Sequence, residues 1–166
     1  MSLILGSKVK PPAGFRRALV KHPVLAMQDW YNAASVSNQL YPPTNGRLGV
    51  IFSSVNSQFT YRRESFDSWA IGYRSGPFYG DCEDFAIACR HITMAIGYKG
   101  GRLLLCKERK LNAGGHCVFI IKDYVFDCRL SNICHIVDFT AIYNLIAVSS
   151  PALLGSWYSV EGVTYE

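Results

Sequence analysis

Apolar residues recur along this chain at two spacings, and the change from one to the other near residue 100 divides the sequence into a helical part and a strand part. From Pro23 to about Leu40 the apolar positions Val24, Met27, Trp30, Tyr31 and Ala34 follow a helical period, which Pro42-Pro43 ends. After an Asn45-Gly46 turn, Leu48, Ile51, Phe52, Val55 and Phe59 make a second helical stripe, and Phe59 to Arg62 leaves it as extended chain. These two helices are expected to cover one side of the core. An irregular approach with Asp67, Trp69, Gly72, Gly76 and Pro77 ends at Gly80. Asp81 then suits an N-cap, and Phe85, Ala88, Cys89, Ile92 and Ile96 share one helix face until Gly97. Beyond it, Arg102 to Cys106, His116 to Ile121 and Tyr124 to Cys128 are rich in β-formers and separated by turn residues, so they read as antiparallel strands. Ile133 to Val148 suits strand and helix equally. Residues 1–22 are basic, contain Pro11-Pro12 and Gly14, and read as an extended arm. The expectation is one α+β domain over residues 1–166, with a central helix carrying Cys82 packed on an antiparallel sheet.

Composition narrows the class. The 166 residues are 49% hydrophobic and 17% charged, which excludes a chain disordered throughout and leaves enough apolar surface for a core without staples. The longest apolar runs, Val118 to Ile121 and Ile142 to Val148, fall far short of the roughly 20 residues of a membrane span. Met1 to Gly6 is too short for a secretory apolar region and leads into Lys8, Lys10, Arg16 and Arg17, so the sequence as written reads as cytoplasmic, and as periplasmic only if an export signal has been removed. Six cysteines in a chain with an ample core need not pair, and reduced thiols are expected. The net charge of +5 comes from small clusters, Arg16-Arg17, Arg62-Arg63 and Lys107 to Lys110. A solvated surface or an acidic substrate accounts for them better than nucleic acid, which favours long basic runs.

The chemistry lies in a cysteine, a histidine and an aspartate, in that order. Acyl transfer by a thiol needs a thiolate, a histidine to take and return its proton, and a third group to orient that histidine. Cys82 falls in the first turn of the central helix, where unpaired N–H groups and the helix dipole favour an anion. Cys89, Cys106, Cys117 and Cys128 sit on an apolar stripe or inside strands and read as small core residues. With Lys122-Asp123 as a two-residue hairpin loop, Ile121 pairs with Tyr124 and Val118 falls opposite Asp127. His116 is then on the same sheet face as Asp127 and diagonal to it, within reach of a hydrogen bond. A shift of one residue would put the aspartate on the other face. His22, His91 and His135 read as ordinary surface or edge histidines. No zinc-ligand spacing joins Cys128, Cys134 and His135, and there is no phosphate-binding glycine pattern.

The segment from Gly80 to Ala88, GDCEDFAIA, resembles the active-site helix of the bacterial transglutaminase-like cysteine proteinases, a family that includes a periplasmic protease clipping large biofilm adhesins. Val55-Asn56, Phe59, Tyr61 and Asp67 to Ala70 resemble the family's lead-in, and Gly115 to Phe119 and Val125 to Asp127 its histidine and aspartate strands. The resemblance spans about residues 48–129. It implies a papain-like fold with Cys82 as nucleophile, His116 as general base and acid, and Asp127 as the orienting partner. It implies peptide or isopeptide cleavage of a protein substrate through an acyl-enzyme; the same triad could serve a transglutaminase or amidase, or the scaffold a silent binding module. No cofactor is needed for the chemistry. Adhesin-clipping members use calcium near the nucleophile, which on this chain points to Asp81 and Glu83, with Asp84 beside them; acids in a helix's first turn are also favoured without any metal. The chain departs from that type in lacking an export signal, in the 11 positions from His116 to Asp127, and in an amino-terminal arm and a final 37 residues with no clear counterpart. A short member without an export signal is compatible with a bacteriophage or mobile-element protein.

Overall fold

The computed structural model describes residues 2–21, 44–64, 69, 76–151 and 155–164. The helix expected from Pro23 to Leu40 lies outside them. Along the chain run β1 (Ser2–Val9), α1 (Ala13–Lys21), α2 (Asn45–Asn56), β2 (Phe59–Tyr61), β3 (Phe78–Gly80), α3 (Cys82–Ala95), β4 (Arg102–Glu108), β5 (Gly115–Ile121), β6 (Tyr124–Phe126), β7 (Cys134–His135), α4 (Ile136–Ile142), β8 (Tyr143–Ser149) and β9 (Trp157–Thr164). Seven strands form one sheet in the order β1-β9-β8-β4-β5-β6-β7, every neighbouring pair antiparallel, while β2 and β3 pair in parallel as a separate ribbon. The fold is α+β with a large antiparallel sheet, as the sequence pattern indicates.

Alternation along the strands gives the sheet two buried faces. Cys117, Phe119, Ile121 and Phe126 point to one face, where they pack with Leu48, Phe52 and Val55 of α2 and Phe85, Ala88 and Cys89 of α3. Leu104, Cys106, Val118, Ile120, Val125 and Val148 point to the other, covered by Ile136 and Phe139 of α4 and by Tyr143. On the first face the rings of Phe52, Phe85 and Phe126 meet edge-on at 5.8 Å, a geometry that adds roughly 0.5–1.5 kcal/mol per pair beyond burial. Because α3 is sandwiched between α2 and β5, its buried residues run beyond one stripe and include Ala86, Ile87, Arg90, Thr93 and Met94. The expected stripe ends early, since Ile96 is exposed at the C-cap.

Two parts of the sequence reading change. The basic segment 1–22 is not an extended arm: Ser2–Val9 is an edge strand zipped to β9, and Ala13–Lys21 is a helix that buries Phe15 against Trp69 and Trp157. Pro12 stands just before that helix and accepts from the Arg16 N–H at 3.0 Å, a place where proline's missing N–H costs nothing. The ambiguous stretch from Ile133 onward is both things in turn, with helix α4 followed directly by strand β8.

Candidate active site

The chain enters α3 through a tight corner. Phe59, Thr60 and Tyr61 pair with Phe78, Tyr79 and Gly80, so the residues just before Cys82 are held by the ribbon. A Cβ on Gly80 would lie 2.5 Å from the Cβ of Asp84, so a side chain there would force the cap apart. Asp81 is the N-cap: its Oδ1 accepts from the Glu83 N–H at 3.2 Å, while Asp84 Oδ2 accepts from the Asp81 N–H at 3.1 Å. Cys82 is thereby the first helical residue, as its sequence context indicates.

Its thiol is nevertheless not the exposed anion that a helix start favours. Cys82 is 9% exposed, and Sγ lies 3.0 Å from Glu83 Oε2. Burial pushes the thiol well above its ordinary range, and the charge and hydrogen bond of Glu83 push it further; the backbone N–H of Cys117 acts the other way. Glu83 is itself pushed up to about 8, first by burial and then by its hydrogen bond and charge contact with Asp81. In this arrangement sulfur keeps its proton and shares it with Glu83 in a hydrogen bond.

The other two residues meet as the hairpin register requires. Ile121 pairs with Tyr124 and Phe119 with Phe126, and Lys122 makes the reversal with φ +51°. Asp127 follows in step, and His116 Nε2 lies 2.8 Å from Asp127 Oδ1 with both side chains at most 1% exposed. A carboxylate only accepts, so Nε2 carries the proton and Nδ1 bears the lone pair. Asp127 Oδ1 also accepts from the Arg129 N–H at 2.9 Å. The imidazole stacks on Tyr143 at 5.7 Å and 29°, and Tyr143 stacks on Phe139 at 4.2 Å. Tyr143 accepts from Arg129 at 3.4 Å, and Arg129 also reaches Glu108 at 2.7 Å.

The three residues do not form one hydrogen-bonded chain here. His116 faces Cys106 across the sheet pairing and lies with the second core cluster, whereas Cys82 belongs to the first. What links them is backbone: that of Cys117, the next residue after His116, lies against Cys82 and lowers the cost of its thiolate. His116 Nδ1 is buried with no hydrogen-bond partner. The sequence reading missed Tyr143 altogether, and it named Glu83 only as a candidate calcium ligand, not as the partner of the thiol. Glu83 stands next to the cysteine and could have been read as its partner, but nothing local marks Tyr143, which arrives from 27 residues further on.

A family model for the bacterial transglutaminase-like cysteine proteinases matches residues 9–164. This chain belongs to that family. The match takes in the final strands and the amino-terminal segment from Val9 onward, so the family resemblance extends well beyond residues 48–129. No curated protein matches the chain. Among solved structures it is similar to a candidate cysteine protease from Cytophaga hutchinsonii, at 14% identity and a TM-score of 0.39, over 94% of this chain and 56% of that one. The chain therefore spans little more than half the length of that protein.

All six cysteines are free; Cys89, Cys106 and Cys117 are buried, and burial holds Cys128 up at about 12 and Cys134 at about 11. His135 caps α4, its Nδ1 accepting from the Val137 N–H at 3.3 Å; His22 lies outside the described residues. Among the described residues, Asp81, Cys82 and Glu83 are the one group of three with candidate ligand atoms within 4.8 Å of one another. The two carboxylates suit a hard cation such as calcium, which takes 6–8 oxygens, and their mutual repulsion is what a cation relieves; the thiol is too soft to join them. Among the described residues no helix is long and apolar enough to cross a membrane.

Proposed function

We propose that the chain is a cysteine peptidase in which Cys82 is the nucleophile, His116 the general base and acid, and Asp127 the residue that positions His116. The observation that carries this reading is the buried His116–Asp127 bond, which leaves Nδ1 as an unpartnered acceptor on the strand whose next residue, Cys117, packs in the same core as Cys82. The reaction requires the His116–Asp127 pair to come round to the Cys82 side of the sheet; the thiol then turns from Glu83 and gives its proton to Nδ1, and Sγ attacks the substrate carbonyl carbon. The backbone N–H of Cys82, first of its helix and outside the helical ladder, is one donor for the oxyanion that results. The C–N bond breaks as the His116 proton passes to the leaving amine. Water then gives a proton to Nδ1 and its oxygen to the thioester carbon, the C–S bond breaks to release the acid, and the proton on Nδ1 returns to sulfur.

Asp81 and Glu83 would hold calcium, whose charge would offset theirs and lower the cost of a thiolate at Cys82. The substrate is a polypeptide, as the family membership supports.

A thiol-directed electrophile on a short peptide, followed by mass spectrometry, tests the assignment. The label is expected on Cys82, absent in Cys82→Ala, and slowed at least about 100-fold in His116→Ala, the scale of a lost general base. Equal labelling rates in wild type and a folded His116→Ala variant would refute the pairing.

A further inference from the structure

The sheet contains a fork. β8 and β9 pair only at Ala147–Ser159, Val148–Tyr158 and Ser149–Trp157, although both strands continue for several residues past that zipper. The cause lies in two bulges. On β8, Cys106 pairs with Leu145 and Leu105 with Ala147, which leaves Ile146 extra; on β9, Ile4 pairs with Gly162 and Leu5 with Val160, which leaves Glu161 extra. A bulge bends its strand, and these two stand where the strands part. Between them opens a cleft of about 520 Å³, walled by residues 143–145 of β8 and 160–163 of β9 and closed at one end by α4. Each wall offers alternate backbone N–H and C=O groups that have no strand partner among the described residues, over a length of about 10 Å. A sheet interior open on two edges suits an extended polypeptide, which can pair with both walls.

The charges select the kind of segment. Arg109 stands at the cleft with Nε and Nη2 both donating to the Thr140 carbonyl, at 3.2 and 3.0 Å, so its guanidinium is fixed in place. It has no acidic partner among the described residues, and Lys107 beside it is exposed. The one acid of the opposite wall, Glu161, is folded over Gly6, which has no side chain to displace it. An acidic side chain on the incoming segment would meet Arg109.

The cleft is also joined to the catalytic residues. Tyr143 forms part of its wall and carries the His116 imidazole on its ring. We infer that the β8–β9 cleft binds an extended, acidic stretch of the substrate polypeptide as an added strand, away from the bond to be cut, and that it bears on His116 through Tyr143. The inference rests on the peptidase reading for the identity of the occupant.

The test uses the Cys82→Ala chain and a fluorescein-labelled peptide alternating glutamate and valine. Binding is expected to slow amide exchange in residues 143–146 and 160–163. Arg109→Glu is expected to weaken binding about tenfold, while Glu161→Lys tightens it, a gain that misfolding cannot imitate. The same peptide N-methylated at alternate amides is expected not to bind. Unchanged exchange in both segments, or equal affinity in all three chains, would overturn the inference, as would a concentration-dependent dimer that protects the cleft without peptide. The two readings separate on turnover, measured with the wild-type chain and a fluorogenic peptide too short to reach the cleft. Peptide binding in the cleft by a wild-type chain that cuts no peptide would overturn the peptidase reading and leave the cleft as a polypeptide site.

Discussion

At the scale of single residues, proton placement decides the chemistry. Asp127 holds the Nε2 proton of His116 and so leaves the lone pair on Nδ1. Asparagine in its place can present an N–H instead, which favours the wrong tautomer without changing the shape of the site. Asp127→Asn is therefore expected to lower kcat/KM by about 10³–10⁴-fold with little change in substrate binding, as steady-state kinetics would show. Cys82 poses the complementary problem, because burial and Glu83 both disfavour its anion. If calcium occupies the Asp81–Glu83 corner, millimolar calcium should raise the melting temperature of wild type and leave the Glu83→Gln variant where it was. At a hundredfold excess over Kd the gain is about 2.7 kcal/mol, readable by calorimetry. These residues stood out in the sequence as candidates, since each lies inside a local pattern. Their mutual placement did not, because which face His116 shares with which helix depends on packing from residues as distant as Tyr143.

Among elements, the β5–β6 hairpin controls the site. Its register was readable because a two-residue loop leaves one way of pairing the flanking strands, and the pairing of Ile121 with Tyr124 follows from it. Lys122 sits at φ +51°, where a Cβ costs about 1 kcal/mol, so Lys122→Gly is expected to stabilise the fold by that order in denaturant titrations. Inserting one glycine after Lys122 should do the opposite to function. It turns Asp127 to the other face of the sheet, and activity should vanish while the helical circular dichroism remains. The amino-terminal segment was misread for a related reason. Lysines, a Pro-Pro pair and a glycine describe a solvated edge strand as well as they describe a free arm, and only the presence of β9 distinguishes the two. The direct succession of α4 and β8 was obscured likewise, since apolar residues at both spacings overlap between Ile133 and Val148.

For the whole molecule, the sheet is a wall between two cores, with Cys82 tied to one and His116 to the other. Its far edge is closed by the two ends of the chain, Ser2 opposite Thr164, with the Thr164 hydroxyl donating to the Ser2 carbonyl at 3.1 Å. Deleting residues 2–9 would strip β9 of that cover and present an unpaired strand along the cleft. Such a variant should self-associate on size-exclusion chromatography even where its helices persist. The same seam has a meaning in time. On the ribosome β1 is made 148 residues before its mate β9 begins (157 − 9), so at about 5–20 residues per second it waits on the order of ten to thirty seconds without a partner. A strand made early is thus locked in late, and the edge it forms stays open until β9 arrives.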